Sequence, residues 1–114
     1  MMATSSDVIY LVQGDTKPQI KVTLKREDDT AQDVTGATIK LHFRPALSTT
    51  LTFSLTGSFT GVDPSAGEVV FNFSAGQLDL DAGDYEGEVE VVYSDATRET
   101  VYEVIQFILR EDFA

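Results

Sequence analysis

The sequence predicts an all-β fold: two antiparallel sheets packed as a sandwich of seven to eight strands. Three observations predict it. Short apolar runs recur along the chain, separated by Gly, Asp, Pro and Ser. Within several runs apolar and polar residues alternate strictly, as a strand with one wet and one buried face requires. Helix-period patterning is absent apart from one turn over residues 75–80.

The elements follow in order. Val8-Ile9-Tyr10-Leu11-Val12 is an apolar run. In Gln19–Lys25, Ile20, Val22 and Leu24 share one side, and Lys21, Thr23 and Lys25 the other. Over 37–44, Ala37, Ile39, Leu41 and Phe43 alternate with Thr38, Lys40, His42 and Arg44. Leu51, Phe53 and Leu55 mark a middle strand, with a short one over 58–62. Over 68–74, Val69, Phe71 and Phe73 point inward. Over 85–93, Tyr85, Gly87, Val89, Val91 and Tyr93 point inward, and Glu86, Glu88 and Glu90 outward. A last apolar run holds Val104, Ile105, Phe107, Ile108 and Leu109. Between strands, Glu27-Asp28-Asp29-Thr30 and Asp33-Val34-Thr35-Gly36 bracket a loop. Asp63-Pro64-Ser65-Ala66-Gly67 is a turn, since Pro64 presets φ and Gly67 admits a positive φ.

The 114 residues fit one domain, with 1–7 as a flexible arm. There is no cysteine, so the core holds by packing alone. No run approaches the roughly 18 apolar residues of a membrane span, and the start lacks the basic and apolar regions of a signal peptide. The net charge is −11. Residues 1–57 are balanced, with six basic and six acidic side chains, whereas 58–114 carry two basic and thirteen acidic. Such a surface repels phosphates, which argues against nucleic acid as a partner. It is either a solvated acidic face or the complement of a basic partner surface.

Leu80-Asp81-Ala82-Gly83-Asp84-Tyr85 has the form of a tyrosine corner, in which a Tyr at the start of a strand bonds back to upstream backbone. Asp81, Gly83 and Tyr85 are its expected members. That feature makes the expected sandwich immunoglobulin-like. Gly87 stands where antibody domains carry a Cys, and Trp is absent, so Phe43, Phe53, Phe71 and Phe73 must fill the centre.

The chain resembles the immunoglobulin-like N-terminal domain of phage baseplate upper proteins and related small phage virion proteins. The resemblance lies in Gln13-Gly14-Asp15-Thr16 before Ile20-Lys21-Val22-Thr23-Leu24, and in Asp33-Val34-Thr35-Gly36-Ala37-Thr38-Ile39. It continues in Gly67-Glu68-Val69-Val70-Phe71 and Ala82-Gly83-Asp84-Tyr85-Glu86-Gly87-Glu88. It implies a structural role in the virion (tail, baseplate, neck or capsid surface) for a chain made in the host cytoplasm. Baseplate upper proteins continue into further domains, so the expectation here is a small building block or decoration subunit.

The two terminal runs are apolar on both sides, which a sandwich strand is not. Two readings stand. In the first, a strand bulges and sends both sets inward, or the terminal residues fold over the patch. In the second, the surplus forms an interface with other virion proteins or with a second copy. In the second reading the interface residues are Ile9, Leu11, Val104, Ile105, Phe107 and Leu109. Lys40, His42 and Arg44 are expected beside Glu86, Glu88 and Glu90, as cross-strand ion pairs.

Catalysis finds little footing. His42 is the only histidine and sits on a charged strand face, without the companion base and cleft that acid–base or triad chemistry needs. A Cys/His zinc site lacks ligands. Neither Asp79, Asp81 and Asp84 nor Glu27, Asp28 and Asp29 has the spacing of a calcium loop. Glu88 and Glu90 lie on one open strand, unlike a glycosidase pair. No cofactor and no enzymatic activity are expected. The rival to a virion structural role is a binding module for a host-surface carbohydrate or receptor. That reading needs exposed aromatics, and only Tyr10, Tyr85, Tyr93 and Tyr102 supply tyrosines.

Overall fold

The structure is a computed structural model. It describes residues 8–101 and 103–113, and the backbone of 2–4. Nine strand segments occur among them: β1 (Met2–Thr4), β2 (Val8–Val12), β3 (Gln19–Lys25), β4 (Thr38–Pro45), β5 (Phe53–Thr56), β6 (Glu68–Asn72), β7 (Gly83–Val92), β8 (Arg98–Thr100) and β9 (Ile105–Arg110). Three form one sheet in the order β1-β3-β6. The other sheet runs β2-β9-β7-β4-β5, with β8 also on β7.

The nine segments are seven strands, two of them interrupted. The first is divided between the sheets: β1 pairs antiparallel with β3, and β2 then pairs parallel with β9. The last is also divided: β8 and β9 lie along the same flank of β7, β8 pairing as far as Thr100 with Glu90 and β9 resuming at Ile105 with Gly87. Met2–Thr4 is therefore paired strand within the span expected as a flexible arm; residues 1 and 5–7 lie outside the described residues.

The alternation read from the sequence is the alternation of burial. Ile20, Val22 and Leu24 of β3, Ile39, Leu41 and Phe43 of β4, and Tyr85, Val89 and Val91 of β7 are buried. Phe43 is the centre. Its ring stacks on Phe53 at 4.7 Å and on Tyr85 at 5.2 Å, meets Phe107 at 5.0 Å, and is met edge-on by Phe73 at 6.1 Å. Gly87 makes this closure possible. A Cβ there would come 2.7 Å from Leu41 Cδ1 and 2.9 Å from Phe107 Cε2. Phe71 is buried beside Gly57 rather than in this ring cluster.

Two expected elements change form. Residues 58–62 contribute only a bridge between Ser58 and Val70, bonded in both directions at 2.7 and 2.9 Å. Residues 75–80 form bonded turns rather than a helical turn. The Pro64 turn is a 3-10 turn, with Asp63 accepting from the Ser65 amide at 3.0 Å and Gly67 at φ 78°. The tyrosine corner closes as expected: Tyr85 Oη donates to the Asp81 carbonyl at 2.7 Å. Among the described residues no helix is long and apolar enough to cross a membrane.

Candidate functional site

The outer face of the larger sheet carries the features that packing does not explain. Strand register sets its layout. One row runs Arg44, Glu86, Gln106, Val8; the next runs Ala46, Asp84, Ile108, Tyr10. On the first row Arg44 meets Glu86 at 2.7 Å through both Nε and Nη2. His42 Nε2 lies 3.4 Å from Glu90, and Arg98 lies 3.6 Å from the same carboxylate. Of the cross-strand ion pairs expected between β4 and β7, Arg44–Glu86 is formed, while His42 reaches Glu90 on the diagonal and Lys40 makes no ion pair among the described residues.

The second row is apolar apart from Asp84. Tyr10 is 75% exposed and Ile108 39%, although each sits mid-strand. Leu47, in the turn after β4, is 96% exposed and holds φ 64°, a left-handed conformation that costs an ordinary side chain about 1 kcal/mol. Ala46, Leu47, Ile108, Gln106, Asp84 and Glu86 line a groove of about 250 Å³. Leu51 and Val104, both exposed, line a shallow pocket with His42, Arg44, Glu86 and Glu88. An exposed strained Leu, an exposed mid-sheet Ile and an exposed Tyr thus lie near one another on this face.

The residues expected at the interface divide differently. Leu11, Ile105, Phe107 and Leu109 are buried within the single chain, and Ile9 packs against the same core. The correction has a simple cause. β9 lies between β2 and β7, and its burial alternates strictly, so Ile105, Phe107 and Leu109 all point inward. Its outward residues are Gln106, Ile108 and Arg110. Only Val104 of the expected set is substantially exposed. Tyr10, Ile108 and Leu47 are the residues that sequence reasoning passed over. Tyr10 and Ile108 were legible as the odd-side members of their runs; Leu47 had no signal.

The four Asp-x-Thr/Ser triplets in the loops share one geometry. Asp28, Asp33, Asp63 and Asp95 each accept from the amide and hydroxyl two residues on, in Thr30, Thr35, Ser65 and Thr97. These bonds hold Asp28, Asp33 and Asp95 below the usual carboxylate range, the Thr hydroxyl bond being the largest cause. Their acidic side chains are thus turn-forming parts. Among the described residues no group of three His, Cys, Asp or Glu side chains is placed to hold a metal ion.

No protein-family model matches the chain, and no curated protein matches it. Solved structures do match in shape. AggA, the major subunit of aggregative adherence fimbriae type I from Escherichia coli, superposes with a TM-score of 0.52 at 12% identity, covering 96% of this chain and 93% of that one. Murine CRIg gives 0.50 at 14%, covering 96% and 97%. CopC from Methylosinus trichosporium OB3b gives 0.50 at 12%, covering 100% and 94%. At these identities the likeness is one of fold, and the chain is an immunoglobulin-like sandwich.

Proposed function

We propose that this chain is a non-enzymatic structural subunit of a phage particle, working through protein–protein contacts made by the outer face of its larger sheet. The observation that carries the assembly role is the exposed apolar set of Ile108 and Tyr10 on the sheet and Leu47 in the adjoining turn, on a chain of net charge −11. Apolar side chains held on a rigid sheet favour contact with another protein, because covering them returns about 25 cal/mol per Å² before the costs of association. Assignment to a phage particle rests on the sequence resemblance over residues 10–95. That AggA is a fimbrial subunit adds no argument of its own, since a shared sandwich serves many roles.

The test is to purify phage particles from lysates in which the chain is produced and to identify their proteins by mass spectrometry. The chain is expected at fixed stoichiometry in the particles, and Ile108→Asp is expected to leave it folded but unincorporated. Recovery of the chain only in the free soluble fraction overturns the reading.

A further inference from the structure

We propose that two copies of this chain pair edge to edge through β2, antiparallel about a two-fold axis at Tyr10, so that their larger sheets become one continuous sheet. The proposal rests on the assembly reading above and names its partner as a second copy.

The backbone supplies the first argument. β2 ends the larger sheet, with β9 on one flank and, among the described residues, no strand on the other. The Gln13 amide donates to the Arg110 carbonyl at 3.0 Å, so the odd-numbered residues turn their backbone groups toward β9. The even-numbered ones turn away. The N–H and C=O of Val8 and Tyr10, and the N–H of Val12, therefore line the open flank. The Val12 carbonyl accepts the Asp15 amide at 3.2 Å and keeps one lone pair. A two-fold at Tyr10 sets Val8 against Val12 of the second copy and Tyr10 against Tyr10, which satisfies these groups in pairs.

The side chains supply the second. Val-Ile-Tyr-Leu-Val contains no charge, no proline and no glycine, and so has none of the devices that block edge pairing. Other edges are closed or short: β6 is capped by the Ser58–Val70 bridge, and β5 has four residues. Pairing would lay Val8, Tyr10 and Val12 of each copy side by side on the outer face, next to Ile108 of each.

Charge supplies the third. Two bodies of net charge −11 repel, and from Val8 to Leu11 the edge offers an uncharged approach, with Arg110 beside Val12. Such a contact strengthens as salt screens the repulsion, whereas one built on ion pairs weakens.

Sedimentation equilibrium of the whole chain tests the proposal. A monomer–dimer equilibrium is expected, with affinity rising roughly tenfold between about 0.01 M and about 0.15 M salt as the Debye length shrinks. Tyr10→Pro removes an amide that faces away from β9, and Tyr10→Lys places two like charges at the axis; each is expected to abolish the dimer. Leu47→Asp, across the sheet, is expected to leave it intact. A chain monomeric up to about 1 mM, a dimer that survives both Tyr10 variants, loss of the dimer in Leu47→Asp, or weakening with salt each overturns the edge pairing. A monomeric chain still found in particles leaves the assembly reading standing. A chain that dimerises but is recovered only in the free soluble fraction, never in particles, overturns that reading and not the pairing.

Discussion

Tyr85 Oη lies 2.7 Å from the carbonyl oxygen of Asp81, four residues upstream, while its ring stacks on Phe43 at 5.2 Å. One side chain thus fastens the loop entering β7 and fills the core. Burial, and then the Asp81 charge, push its hydroxyl above the ordinary tyrosine range, so it remains a donor at neutral pH. The two roles separate by mutation. Tyr85→Phe keeps the ring and is expected to cost about 1 kcal/mol, the net worth of one hydrogen bond. Tyr85→Ala loses both and is expected to cost about 3–5 kcal/mol. Urea denaturation measures each; equal losses would mean that the hydroxyl, not the ring, dominates.

Gly67 and Gly36 have the same φ of 78°, but different surroundings. A Cβ on Gly67 would run into the Leu24 carbonyl oxygen, whereas one on Gly36 meets nothing within 4 Å. Gly36→Ala is expected to cost about 1 kcal/mol, from the left-handed backbone alone. Gly67→Ala must also displace the β3 backbone, where the Leu24 amide donates to the Gly67 carbonyl at 2.8 Å. Its expected cost is about 3 kcal/mol or more. Thermal unfolding of the two variants side by side checks the difference.

Much of this fold was legible in the sequence because the alternation of β3, β4 and β7 is strict and only one of their sides is apolar. The tyrosine corner was legible because its parts are local. The terminal strands were not. Val8–Val12 reads as apolar throughout, and nothing local states that the chain leaves β3 and joins β9 between residues 4 and 8. The break between β8 and β9 depends on how both are held against β7, which is a non-local matter. Leu47 was invisible for another reason: propensity gives no cause for a Leu at positive φ, so the strain is seen only in the backbone. The Asp-x-Thr/Ser triplets could have been found, since side-chain capping of a following amide and hydroxyl is written in consecutive residues.

Asp28, Asp33 and Asp95 are held below the ordinary aspartate range because each carboxylate accepts from a Thr hydroxyl and amide. A folded-state pKa below the unfolded one stabilises the fold above the unfolded pKa, and that stabilisation is lost as pH falls through the folded value. The combined variant Asp28→Asn, Asp33→Asn, Asp95→Asn keeps an acceptor in each turn and removes the titration. The expected result is a shallower loss of stability below about pH 4 than in the unsubstituted chain. Carboxyl chemical shifts followed by NMR give the direct check: all three midpoints should fall below those of the same residues in unfolded peptides.

Leu47 sets stability against assembly. Its φ of 64° strains the backbone, and at 96% exposure its side chain gains almost nothing from burial in the lone subunit. Leu47→Gly relieves the strain at the cost of a more flexible unfolded chain, so the net gain is expected to be small, up to about 1 kcal/mol. The same change removes one wall of the groove shared with Ile108, Ala46 and Asp84. If that groove receives a partner in the particle, the more stable variant should be the poorer subunit: a higher urea midpoint together with reduced incorporation. Higher stability with undiminished incorporation would remove Leu47 from the contact surface and confine assembly to Ile108, Tyr10 and the β2 edge.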